Sequence, residues 1–348
     1  MGMAARVKNL GVKMLNIAII GCGHWGPNYA RNLINFKYVN RVFCCDTNKA
    51  ALDKLKVSYH RIEVLPDYKE AIGNKDIDAV IIATPSSTHF TIAKEAILAN
   101  KHVLVEKPLA LKHEECEELE GLSRETGKVL MVAHTFIYNP AIAKIKEFID
   151  KKTLGDIYYI HSTRTHLGLI REDVNAVWDL APHDVSIFLY FLNKMPLSVS
   201  ALGGSFLKTT REDVAFINLK FPDGVVGNIH ISWADSNKVR QVEVIGSKAR
   251  AVFNDLDNLE KVKLYEKGIS TDKPYDNFGE FQYLLRDGDI ISPKIDLTEP
   301  VKILCEHFLD CVKNNKKPIT DGKNGSDVVK IMCAIDQSLK NGGVPVNV

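Results

Sequence analysis

Two short segments of this chain, Glu106-Lys107-Pro108 and Trp178-Asp179-Leu180-Ala181-Pro182-His183-Asp184, carry an amine, a carboxylate and an imidazole suited to proton transfer at a hydroxyl. Lys107 closes an apolar run, so its amine stands at a strand end. There it can hydrogen-bond a hydroxyl, help hold a developing alkoxide and exchange a proton. Pro108 fixes the turn that presents it. Taken alone, a lysine at a strand end is more often a surface charge. Asp179 and His183 are four residues apart and share a face if the segment is helical. A carboxylate beside an imidazole raises its basicity and fixes its tautomer. Pro182 predicts that the helix begins near it. The plainer roles are an N-cap for Asp179 or Asp184 and a hydrogen-bonded core histidine for His183. His183 with Asp179, Asp184 or His161 could also offer metal ligands. That spacing has no metal signature, so no metal is expected.

A third segment supplies the electron acceptor's site. Asn16 to Ile20 is a short apolar run that ends in Gly21-Cys22-Gly23-His24-Trp25-Gly26, a G-x-G-x-x-G turn. A second apolar run ends in Asp46, 20 residues after Gly26. Strand, glycine turn, helix, strand and acid in this order form a dinucleotide-binding fingerprint. Gly21 permits the turn, Gly23 lets a pyrophosphate approach the backbone, and Gly26 lets the helix pack close. Asp46 would accept from the adenosine ribose and repel a 2′-phosphate, so the expected cofactor is NAD rather than NADP.

These segments need a scaffold. From 15 to 135 strands at 16–20, 39–45, 79–83, 102–105 and 129–133 alternate with helices at 27–36, 49–57, 67–72, 88–99 and 112–126. That alternation predicts a parallel sheet covered on both faces. Ligands of such a sheet bind outside the carboxyl ends of its strands, where Lys107 and Thr84-Pro85-Ser86-Ser87-Thr88-His89 stand. Thr84, Pro85 and His89, with Glu106, His24 and Trp25, are therefore candidate cofactor contacts, and Ser86 or Ser87 a candidate helix cap. After residue 135 come one helix at 141–149 and β-rich runs at 157–164, 198–206, 215–221, 225–232, 239–245 and 249–254. Two helices follow, from 299 to about 314 and from 327 to about 340. Phe221-Pro222-Asp223-Gly224-Val225 predicts a hairpin. The expected second domain is an open, mostly antiparallel sheet with helices on one face. Tyr138, Asn139, Arg164 and His166 are candidate substrate contacts. His134, His161 and Arg171 are further polar candidates. Residues 256–297 have no clear periodicity.

The expected organisation is an N-terminal extension (1–14), a Rossmann domain (15–135) and a substrate-binding and oligomerisation α/β domain (136–348). The 348 residues suffice for two cores, and the net charge of +2 is spread without a basic stripe, which argues against nucleic acid. No apolar run approaches the roughly 18 residues of a membrane span. The N-terminus lacks a signal-peptide core. The seven cysteines are scattered without a C-x-x-C pair, as in a reduced cytoplasmic protein.

Together, Gly21-Cys-Gly-His-Trp-Gly26, Ala83-Thr-Pro-Ser-Ser-Thr-His89, Glu106-Lys-Pro108 and Asp179-Leu-Ala-Pro-His183 resemble the glucose–fructose oxidoreductase/inositol dehydrogenase/rhizopine-catabolism (Gfo/Idh/MocA) family over nearly the whole chain. The resemblance implies a Rossmann domain followed by an open-sheet α/β domain. It also implies catalytic roles for Lys107, Asp179 and His183, and homodimers or homotetramers built on the second sheet. Many members have D-x-G-x-H followed by an acid three residues later. Here Ala181-Pro182 replaces the glycine region, Ser186 holds the later place, and an acid, Asp184, directly follows the histidine. Trp178 and His134-Thr-Phe-Ile-Tyr-Asn-Pro140 are similar to a branch acting on nucleotide-activated amino sugars, with UDP-N-acetylglucosamine 3-dehydrogenases as the nearest analogy. The implied activity is oxidation of a secondary hydroxyl, at C3 of a nucleotide-linked N-acetylhexosamine. The alternatives are a myo-inositol-type polyol dehydrogenase, a keto-sugar reductase, or a non-catalytic dinucleotide-sensing regulator.

Overall fold

The computed structural model describes residues 14–168, 170, 174–207, 210–270 and 284–348. The first sheet contains β1 (Leu15–Ile20), β2 (Val39–Cys45), β3 (Ile62–Leu65), β4 (Ala79–Ile82), β5 (His102–Glu106) and β6 (Leu130–Ala133). All its pairings are parallel, in the order β3-β2-β1-β4-β5-β6. Its strands are apolar along their length because α1 (Gly26–Leu33), α2 (Lys49–Ser58), α3 (Tyr68–Gly73), α4 (His89–Leu98) and α5 (His113–Thr126) supply the covering layers. The strand order reverses between β1 and β4, which opens a crevice at their carboxyl ends. β3 was not expected. Only Ile62 of its four residues is buried, so it has little apolar signal; Arg41 on β2 grips its Glu63 with two 2.6 Å hydrogen bonds.

The rest of the chain contains α6 (Pro140–Asp150), β7 (Ile157–Leu167), α7 (Ala176–Leu192), β8 (Ser198–Gly204), β9 (Val214–Lys220), β10 (Val226–Ser232), β11 (Ala234–Gly246), β12 (Arg250–Asn254), β13 (Val262–Tyr265), β14 (Gly268–Ser270), β15 (Leu284–Arg286), β16 (Ile290–Ile291), α8 (Pro300–Asn314), α9 (Gly322–Lys340) and β17 (Val346–Asn347). The second sheet runs β16-β13-β12-β11-β7-β10-β9-β8-β17 and is open and mostly antiparallel, with β7 and β10 parallel. The Pro222–Gly224 turn joins β9 to β10 as the expected hairpin, with Asp223 and Gly224 both at positive φ. Between 256 and 297 the chain forms β13 to β16; residues 271–283 lie outside the described residues, as do the N-terminal extension up to 13 and Arg171.

α7 departs from expectation. It starts at Ala176, capped by Asn175 accepting from the Trp178 amide at 3.0 Å, and Pro182 lies inside it. Neither Asp179 nor Asp184 is the cap. An interior proline costs about 3 kcal/mol through a lost hydrogen bond and a clash. Burying Val185, Ile187, Phe188 and Phe191 contributes about 2 kcal/mol each, so packing outweighs the proline. α7 packs against β10, β9 and β7 on one side and α9 on the other. α8 returns to α1, and α9 to α5 and β6. Thr320 ties that return to the first sheet, its hydroxyl donating to the Val132 carbonyl at 2.6 Å.

Candidate active site

The glycine turn has the geometry its spacing implies. Gly21 sits at φ +95°, and a Cβ there would lie 2.6 Å from the Ala83 carbonyl carbon at the end of β4. A Cβ on Gly26 would lie 2.2 Å from the Gly21 carbonyl oxygen. A Cβ on Gly23 would meet nothing within 4 Å, so that side of the turn is open. α1 begins without a side-chain cap, which leaves its first N–H groups for an anion. Asp46 ends β2 beside the turn. Its carboxylate accepts from the Cys22 amide at 2.6 Å and the Asn48 amide at 2.7 Å, with lone pairs remaining for a ribose. His24 is exposed and its ring meets Trp25 edge-on at 5.6 Å. These residues fit NAD: an open turn for the pyrophosphate and an acid for the ribose.

Lys107 follows β5 and reaches across to α7. Its Nζ donates to the Asp179 carbonyl at 2.6 Å and lies 3.6 Å from Asp179 Oδ1. Trp233, just beyond β10, donates to Asp179 Oδ2 at 3.3 Å. His183 stands one turn further along α7, half-buried, with its Nδ1 enclosed and unpartnered. Its ring meets Phe136 edge-on at 5.1 Å. Thus Asp179 pairs with lysine and tryptophan, and the expected raising of His183's basicity is reversed. Burial, then the Lys107 and Arg164 cations, hold the imidazole well below its ordinary pKa. His134, at the end of β6 next to β5, is buried with both ring nitrogens unpartnered, and burial with Lys107 pushes its pKa down to about 3.

Several expected ligand contacts are structural braces. Glu106 turns inward, accepts from the Tyr29 hydroxyl of α1 at 2.6 Å, and is pushed up in pKa by burial. His89 is buried between two carbonyls, 2.7 Å from that of Pro108 and 2.9 Å from that of Thr84. It locks the β4 and β5 end loops together. Thr84 accepts from Thr88, whose hydroxyl also serves Pro85; Ser86 and Ser87 cap nothing. Tyr138 is buried with its hydroxyl 2.9 Å from that of Thr320, and Asn139 caps α6 by accepting from the Ala141 amide. Arg164 is buried in a two-pronged pair with Asp184, which takes its Nε and Nη2 donors. His161 faces the other side of the sheet with Asn228. His166 is half-buried, its pKa lowered by burial and Arg240.

Trp233, Phe136 and Tyr29 were not singled out from sequence. Each acts through a partner at least 28 residues away, Phe136 to Arg164 being the shortest, so no local spacing marks them. Among the described residues no His, Cys, Asp or Glu cluster is placed to hold a metal, and no helix is long and apolar enough to cross a membrane.

The profile of the Gfo/Idh/MocA oxidoreductase family, NAD-binding Rossmann fold, matches residues 15–134, and that of the GFO/IDH/MocA C-terminal domain matches 142–252. The scyllo-inositol 2-dehydrogenase (NAD(+)) of Bacillus subtilis is 27% identical over 338 residues, spanning 93% of this chain and 94% of its own. The UDP-N-acetylglucosamine 3-dehydrogenase of Acidithiobacillus ferrooxidans is 25% identical, spanning 90% of this chain and 94% of its own. GenD2 from gentamicin A biosynthesis, solved in complex with NAD, superposes with a TM-score of 0.82 at 22% identity, covering 100% of this chain and 99% of its own. The chain belongs to the Gfo/Idh/MocA oxidoreductase family and is an NAD-dependent dehydrogenase of the sugar and polyol class.

Proposed function

We propose that the substrate is a nucleotide-linked N-acetylhexosamine such as UDP-N-acetylglucosamine and that its C3 hydroxyl is oxidised. The observation that carries the chemistry is the contact of Lys107 with Asp179, which sets an amine beside the helix turn bearing His183. NAD, held over Gly21, Gly23, Gly26 and Asp46, supplies a hydride acceptor. Lys107, its charge matched by Asp179, donates a hydrogen bond to the reacting oxygen and stabilises it as negative charge develops. His183, kept neutral by burial and then by the Lys107 and Arg164 cations, accepts the hydroxyl proton. Asp179 holds Lys107 with Trp233 as its second support. His166, at the same end of β7, borders the sugar.

The nucleotide-sugar reading is supported by the His134–Pro140 segment and by the Acidithiobacillus relative. A cyclitol is the second reading, favoured by the Bacillus relative. A regulator without turnover is disfavoured by the intact Lys107, Asp179 and His183. Absorbance of NADH with UDP-N-acetylglucosamine, myo-inositol, scyllo-inositol and free hexoses decides. The expected result is turnover on the UDP-sugar with competition by UDP; faster turnover on a cyclitol overturns it. We further place a second copy of the chain on the outer face of the second sheet, where Tyr159, Leu202, Phe216 and Val226 are exposed. Light scattering is expected to give a dimer or tetramer, and Phe216→Glu to break it.

A further inference from the structure

We propose that Arg164, Asp184 and Phe136 form a clamp that sets the orientation of the His183 ring; its catalytic consequence rests on the role proposed for His183. Arg164, on β7, donates from Nε to Asp184 Oδ2 at 2.9 Å and from Nη2 to Asp184 Oδ1 at 3.0 Å. Asp184 directly follows His183 in α7. The Arg164 guanidinium carbon lies 4.4 Å from the centre of the Phe136 ring, and Phe136 meets the His183 ring with planes at 66°. The path from His183 through Asp184, Arg164 and Phe136 therefore closes on His183. Arg164 and Asp184 are both buried.

A buried ion pair adds little net stability over an apolar pair of similar size, because desolvation offsets the attraction. A methionine and a leucine would hold α7 to the sheet as well. They would not fix direction, nor place a planar cation on Phe136. Direction matters because His183 Nδ1 is enclosed without a hydrogen-bond partner. An imidazole is commonly oriented by a bond from that nitrogen to a carboxylate or carbonyl. Here packing against Phe136 takes that place. The clamp also explains why the acid stands immediately after the histidine in this chain.

The charged and titratable groups facing His183 come from several elements. Lys107 follows β5, His134 follows β6, Arg164 is on β7 and Arg240 on β11; Asp179 and Asp184 lie on α7 itself. Lys107 is matched by Asp179 and Arg240 by Asp255 at 3.5 Å. Removing Arg164 together with Asp184 takes one cation and one anion from this set, so no buried charge is stranded.

The test uses the full chain with carbon-13-labelled histidine, the His183 resonance being assigned from His183→Gln. Arg164→Met/Asp184→Leu and Phe136→Leu are compared with the parent. Both are expected to fold and to bind NADH within about threefold of the parent, since the clamp touches neither Gly21–Gly26 nor Asp46. In the double variant the His183 ring resonances are expected to move, because Phe136 loses the planar cation packed on it. In Phe136→Leu the His183 titration midpoint stays and the ring resonances move. In both, kcat on the active sugar falls about tenfold with KM changed less than about threefold. Folded variants with parental His183 resonances overturn the clamp, whatever the substrate. If the double variant fails to fold, Phe136→Leu and Arg164→Lys decide by the same readout. Shifted resonances without turnover on any sugar support the clamp and count against the dehydrogenase substrate instead.

Discussion

The dinucleotide end of the crevice comes from one continuous stretch, Leu15 to Asp46, whereas the hydroxyl end draws Lys107, His134, Arg164 and Trp233 from in or beside strands of both sheets and Asp179 and His183 from α7. The first end is made of backbone. Its geometry lies in two glycines that a methyl group would jam, an uncapped helix start and one carboxylate tied to main-chain amides. The second end is made of side chains whose properties come from their neighbours. Asp179 serves a lysine rather than the histidine one turn away, and His183 stays neutral because it is buried, with the Lys107 and Arg164 cations adding to that. A backbone site tolerates little local change, and its one distant neighbour is main chain, the end of β4 at Ala83. A side-chain site depends on how α7 is packed between its neighbours.

The largest expected effects separate the two ends cleanly. Lys107→Met and His183→Ala should each lower kcat by about 10²–10⁴-fold while leaving the NADH dissociation constant within about threefold, measured by fluorescence titration. Equal losses in NADH affinity would erase the division. Gly26→Ala should act the other way. A Cβ only 2.2 Å from the Gly21 oxygen forces the helix off the turn, so NADH affinity should fall by about 100-fold with the His183 resonance unmoved. Asp46→Ala is a milder version of the same break. It removes charged hydrogen bonds worth about 1.5 kcal/mol or more, roughly a tenfold loss in NADH affinity.

The remaining expected effect is on stability. His134 has its pKa lowered from 6.5 to about 3 in the folded chain. Below pH 6.5 the unfolded chain takes up a proton that the folded chain refuses. Stability therefore falls as pH drops through this window, by about 1.4 kcal/mol per pH unit from this one group, and the term is absent above it. His134→Phe should flatten the acid limb of the stability curve by that slope, read from urea melts between about pH 4 and 6.5. An unchanged slope would show that His134 keeps its proton-binding in the folded chain.

The glycine turn, Asp46, the parallel pairing of the first sheet's main strands and the β9–β10 hairpin were all legible from residue type and spacing, because each is decided within a few tens of residues. The braces were not. Glu106, His89, Tyr138 and Asn139 are polar groups near a sheet edge, and sequence reads such groups as ligand contacts. Whether a polar side chain faces the crevice or turns inward depends on a partner elsewhere: Tyr29 for Glu106, Pro108 and Thr84 for His89, Thr320 for Tyr138. Pro182 misled for a related reason. Helix propensity places it at a helix start, and burial of α7 overrides that preference by several kcal/mol.

Sequence alone was enough for the shape of the glycine turn and for the two sheet types, because backbone geometry and hydrophobic period are local properties. Only the tertiary structure decided which charges became neighbours. Lys107 took Asp179, Arg164 took Asp184, and His183 was left neutral against Phe136. Those choices follow from packing and from the cost of burying a charge without a partner, and both depend on contacts made across the whole chain.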